Sequence, residues 1–147
     1  MSAGSGLTHS EFNNSKKDPL SLLQIWVFPK EKDIKPRYDQ KSFDVKEREN
    51  KFQTVVSPDN ENEAMWINQN ANFSLGNFDN DKSVTYEIKH AGNGAYIFII
   101  EGSVEIEGEI LSKRDAIGIE DVNAIEIQSK EKSEILVIEV PMNLKAN

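Results

Sequence analysis

The chain has 147 residues and no cysteine, with 25 acidic against 17 basic side chains and a formal net charge of -8. That length favours one domain with its own core, and a hydrophobic content of 37% is enough to fill one. The charge repels a duplex or an anionic membrane and no basic run offsets it, so neither is expected as a direct partner; the missing thiols exclude disulfides, cysteine nucleophiles and cysteine-held zinc or iron–sulfur clusters, and suit a reducing cytoplasm.

Residues 1–19 are small and polar and read as an arm or linker; the start, MSAGSGLTHSE, lacks the basic and apolar regions of a secretion signal. Residues 20–28 (LSLLQIWVF) are the first strand candidate, stopped by Pro29. A charged loop over 31–39 follows, then a strand over 51–56 (KFQTVV) closed by the turn cluster Ser57-Pro58-Asp59-Asn60. Residues 64–68 form a short strand holding Trp66. Residues 72–78 (NFSLGNF) alternate, and Gly76 predicts a bulge or a close backbone approach. After a turn at 79–81, Val84, Tyr86 and Ile88 share one face of a further strand. A glycine-rich turn at 91–94 leads into residues 96–120 (YIFIIEGSVEIEGEILSKRDAIGIE), where apolar alternation is broken by Gly102, by Gly108 and by Arg114-Asp115. Residues 124–128 and 134–140 complete the series, and Pro141 ends the last strand.

No segment holds a helical period over three turns, and about ten short β-rich segments with regular turns predict an all-β antiparallel sandwich or barrel. The runs 96–100 and 135–138 look apolar on both faces and so central. The predicted core is Leu23, Ile25, Val27, Phe73, Tyr86, Ile97, Ile99, Val104, Ile106, Ile117, Ile125, Leu136 and Ile138.

Few residues carry chemistry. On an extended segment His9 and Glu11 face the same way, offering one imidazole nitrogen and one carboxylate to a metal; mixed ligation of this kind suits non-haem iron or manganese. The alternative is a chance pair in an arm. His90 is the only other histidine and reads as a turn residue, so no three-histidine site can form within one chain. Ser10 adjoins His9 and Glu11 but points to the opposite face, no G-x-S-x-G elbow is present, and Gly4-Ser5-Gly6 lacks the rest of a phosphate loop. Glu105, Glu107 and Glu109 read as a solvated strand face. Trp26 and Trp66 read as core, with a pocket wall as the alternative.

The opening residues 2–13 (SAGSGLTHSEFN) resemble the "AG-x-G-x-x-HSE" segment of pirins and pirin-like quercetin 2,3-dioxygenases. Leu23-Gln24-Ile25-Trp26 is similar to the strand that follows in that family; Pro36-Arg37-Tyr38-Asp39-Gln40 and Val56-Ser57-Pro58-Asp59 are similar to its bacterial members. The resemblance implies two cupin domains, with one Fe(II) held in the first by a His-Pro-His motif together with the His and Glu of the HSE segment. His9 and Glu11 would then be the last two metal ligands, while His-Pro-His is absent from this chain. The resulting expectation is an arm left from an N-terminal cupin over 1–19 and a C-terminal cupin domain, a jelly-roll-like antiparallel barrel, over 20–147. It implies a pirin-like protein inactive alone for want of half an iron site. The alternatives are an iron-dependent quercetin 2,3-dioxygenase when completed by another chain, or a small-molecule or protein binding module. The expected partners are a second copy of the chain or the missing N-terminal cupin.

Overall fold

A computed structural model describes residues 1–59 and 63–143; Asn60 of the predicted turn and residues 144–147 of the predicted domain lie outside the described residues. The period-two segments become ten strands among the described residues: β1 Phe52–Ser57, β2 Met65–Trp66, β3 Asn72–Phe78, β4 Ser83–Glu87, β5 Asn93–Glu101, β6 Ser103–Ile106, β7 Glu109–Ser112, β8 Ala116–Ile119, β9 Ala124–Ser129 and β10 Ser133–Pro141. A single 3-10 turn, Val45–Arg48, precedes β1 and is capped by the Asp44 side chain. Among the described residues no helix is long and apolar enough to cross a membrane.

The strands form two sheets, one of six in the order β2-β1-β3-β10-β5-β8 and one of four in the order β4-β9-β6-β7. Pairing is antiparallel except for the short parallel contact of β1 with β2. The fold is thus an all-β sandwich of mainly antiparallel strands, and β5 and β10 are interior strands of the larger sheet, as their apolar runs predict.

The core lies between the sheets. The larger sheet contributes Phe78, Ala95, Ile97, Ile99, Ile135 and Val137, and the smaller Tyr86, Val104, Ile106, Ile125 and Ile127. Phe52 stacks edge-on against both Phe78 and Tyr86, with ring centroids 5.0 and 5.3 Å apart. Burying each large side chain contributes roughly 1.5–3 kcal/mol.

Five sequence expectations are corrected. Residues 20–28 join neither sheet, and Leu23 and Ile25, predicted as core, are 45% and 38% exposed, with Val27 half-buried. Trp26 is not core either, at 88% exposure. In β3 the inward residues are Asn72, Ser74, Gly76 and Phe78, so Phe73 turns outward, as does its β10 neighbour Ile138; both are half-buried. Ile117 is also only half-buried, although it packs against the core. Gly76 sits at an unbroken stretch of the β3–β10 register, which removes the predicted bulge; a Cβ there would collide with the Phe78 ring, so close approach is its reason. Phe73, Leu75, Tyr96, Phe98, Leu136 and Ile138 therefore line an outer face of the larger sheet that is itself apolar.

Candidate functional site

Residues 1–19 form no strand and are largely exposed. Their start is tied to the loop after Pro36 by reciprocal backbone bonds between Ser2 and Arg37, of 2.9 and 3.1 Å. Arg37 in turn lays its guanidinium 4.6 Å over the Trp66 ring on β2, anchoring the loop to the sandwich edge. Along this arm the two-residue spacing puts His9 and Glu11 on one face, with Nε2 3.7 Å from Oε1. That is close to the ~3 Å between adjacent donors on an ion bound at about 2.1 Å. The side chains are 37% and 49% exposed, so water competes freely for the ion.

The donor types fit a first-row divalent metal, but the number does not complete a site. Among the described residues no cluster of three or more His, Cys, Asp or Glu side chains can hold a metal. His90 does not join the pair. It lies in the turn before β5, where its N–H donates to Glu139 and its Nε2 is buried without a partner.

A second constellation escaped the sequence reading. Glu139 on β10 is 0% exposed. Tyr86 Oη donates to Oε2 at 3.1 Å, and Lys89 N to Oε1 and Oε2 at 3.1 and 3.0 Å. His90 N and Asn93 Nδ2 both donate to Oε1 at 2.9 Å. Five contacts fill the roughly four acceptor positions of a carboxylate, so Glu139 is an anchor rather than a free base or metal ligand. It joins β4, the turn at 88–91 and the start of β5. Burial pushes the Tyr86 phenol well above its ordinary value; the Glu139 charge and hydrogen bond add to this, and Ser74 partly opposes it. Burial also lowers the Lys89 ammonium, with Glu139 pulling the other way. The signal in the sequence was parity: Glu139 is in phase with Ile135 and Val137, both fully buried.

Residues 24–28 lie beside the apolar outer face. With Tyr96, Ile138 and Val140 they line a groove of about 470 Å³ that includes Trp26 and Phe28. The segment's end is pinned by Gln69 Nε2 donating to the Phe28 carbonyl at 2.9 Å and Lys30 N donating to the Asn68 carbonyl at 2.7 Å. Glu105 stands on the smaller sheet's outer face, where Lys130 pairs with it at 2.6 Å, as a solvated strand requires, whereas Glu107, expected on the same strand face, falls in the turn after Ile106.

Two packed sheets of this order, a filled interior and a separate arm carrying a His-x-Glu pair define a cupin-type protein. The chain belongs to the quercetinase C-terminal cupin domain family, whose sequence profile matches residues 54–140, and it is a pirin-like cupin-domain protein. A quercetin 2,3-dioxygenase of Escherichia coli K12 is 35% identical over 141 residues, covering 96% of this chain and 59% of that protein. A pirin-like protein of Caulobacter vibrioides is 31% identical over 140 residues, covering 95% of this chain and 60% of that one. Among solved structures, YhhW from Escherichia coli superposes with a TM-score of 0.73 at 29% identity, covering 82% of this chain and 50% of that one. The bacterial pirin YhhW in complex with nickel(II) gives 0.69 at 30% identity, over 77% of this chain and 47% of that one. This chain thus spans about 59% of the length of the curated relatives it matches.

Proposed function

We propose that the chain supplies two ligands, His9 and Glu11, to a divalent-metal centre, with iron(II) as the working ion, and that it does not cleave flavonols by itself. The observation that carries this reading is a donor pair 3.7 Å apart on an exposed arm, with no third metal-binding side chain clustered beside it among the described residues. The family resemblance supplies the missing donors as two histidines of a His-Pro-His motif on another polypeptide segment. The names of the relatives support a quercetin 2,3-dioxygenase-type reaction for the completed assembly, and the nickel(II) complex of YhhW supports a metal there. The bound ion would supply a Lewis-acidic, redox-active centre; this chain's part is to present one imidazole and one carboxylate. A cysteine-free chain suits the cytoplasm as the place where this happens.

The test is anaerobic reconstitution with Fe(II), reading bound metal and quercetin consumption for the chain alone and after adding a polypeptide carrying the His-Pro-His cupin. The expected result is weak, sub-stoichiometric metal and no turnover alone, with both gained in the mixture and lost again in His9→Ala. Tight stoichiometric iron with turnover by the chain alone would overturn the reading. The groove on the outer face favours a second reading, a binding module for an apolar ligand or protein segment.

A further inference from the structure

We propose that residues 20–28 form a two-stranded antiparallel ribbon with the same residues of a second copy of this chain, centred on Gln24. The proposal does not depend on the metal reading. Its first ground is unmet backbone demand. Among the described residues, no backbone N–H or C=O of residues 20–27 makes a hydrogen bond, although the segment has the strand signature of Leu, Ile, Trp, Val and Phe. Its second ground is a bare apolar face. The odd-numbered Leu23, Ile25 and Val27 are the less exposed, while Leu20, Leu22, Trp26 and Phe28 are 56%, 53%, 88% and 77% exposed. A face of this size on a strand without a pairing partner marks an interaction site.

The third ground selects the occupant. A two-fold axis through Gln24 pairs the segment with itself in a register that keeps every side chain on its own face. Leu22 then falls opposite Trp26 and Leu20 opposite Phe28, two apolar cross-strand pairs, each occurring twice. Pro19 falls opposite Pro29. When the even-numbered residues exchange hydrogen bonds, both prolines occupy the positions that need no N–H, so they bound the ribbon symmetrically. Beyond them Asp18 meets Lys30 and Lys17 meets Glu31, opposite charges at each end. None of these four charges is in an ion pair among the described residues. The segment itself carries no charge, so the net charge of -8 is not concentrated at the contact. A shift by one residue in the paired strand would set outward side chains opposite inward ones and lose every one of these matches.

The experiment is sedimentation equilibrium of the full chain over a wide concentration range, with single-cysteine trapping, which the cysteine-free sequence makes clean. The expected mass is twice the 16.6 kDa of one chain, reverting to one chain in Gln24→Pro and in Trp26→Glu without loss of the β circular-dichroism signal. Gln24→Cys, which meets its own symmetry mate, should crosslink on mild oxidation; Leu22→Cys, which faces Trp26 instead, should not. A single-chain mass at every concentration would overturn the proposal, as would crosslinking of Leu22→Cys as readily as Gln24→Cys. It would equally be overturned if Trp26 became buried only on adding the His-Pro-His cupin, since the segment would then belong to that partner.

Discussion

Glu139 concentrates more of the fold on one side chain than any other residue described. Removing its carboxylate in Glu139→Ala strands the Tyr86 hydroxyl and the Lys89 and His90 amides, and leaves Asn93 Nδ2 only its bond to the Asn70 carbonyl. Each buried donor left unsatisfied costs about 1–3 kcal/mol, which together should appear as a large drop in the urea midpoint at unchanged m-value. Tyr86→Phe removes one donor and leaves the carboxylate its other three donor groups, so about 1–2 kcal/mol is expected. The same pair predicts a pH dependence. The folded Tyr86 phenol holds its proton more tightly than the unfolded one, whose ordinary value is 10.0. Its contribution is therefore complete below about pH 10 and falls as pH rises beyond it. Denaturant titrations through the alkaline range should show wild type losing stability faster than Tyr86→Phe. The opposite order would mean that the phenolate is the favoured form in the fold.

At the scale of elements, two glycines separate two kinds of constraint. β6 and β7 are joined through Glu107 and Gly108, with φ of 52° and 80°, the pair of left-handed residues that a tight hairpin of this hand needs. A Cβ at Gly108 would meet nothing within 4 Å, so Gly108→Ala should cost only its backbone conformation, about 1–2 kcal/mol. Gly76 has an ordinary strand backbone, but its Cβ would strike the Phe78 ring. Gly76→Ala should therefore cost about 1–3 kcal/mol through overpacking, and Phe78→Leu should relieve part of that penalty while leaving the Gly108→Ala penalty untouched. Double-mutant denaturation curves check the distinction. These elements were also the legible ones, because period-two apolarity and turn glycines are local signals. Strand parity in β3 was not legible. Phe73 and Leu75 alternate as a core face should, but the sheet has a second apolar face for them, and the interior takes Asn72 and Ser74 instead. Residues 20–28 read as a buried strand for the same reason: their composition records a need to be covered, and the cover is not among the described residues of this chain.

The molecule as a whole consists of a packed sandwich and an arm whose chemistry is local, and that division has a thermodynamic consequence. His9 and Glu11 are two residues apart, so they are neighbours in the unfolded chain as well as in the folded one. A ligand raises folding stability only by the difference between its affinities for the two states; a site present in the native state alone would add about 2.7 kcal/mol at a hundredfold excess over its dissociation constant. A metal held by His9 and Glu11 alone gains nothing from folding. Titrating Ni(II) or Fe(II) should therefore leave the unfolding midpoint of the sandwich unchanged, even where binding to the arm is detectable and is abolished by Glu11→Gln. The alternative is specific. Were His90 to swing its unpartnered Nε2 toward the arm, the site would span arm and sandwich and exist only when folded. The midpoint would then climb with metal concentration, and His90→Ala would flatten it. A flat response in wild type places both donors on the arm alone, and a rising one makes the cupin sandwich itself a ligand to the ion.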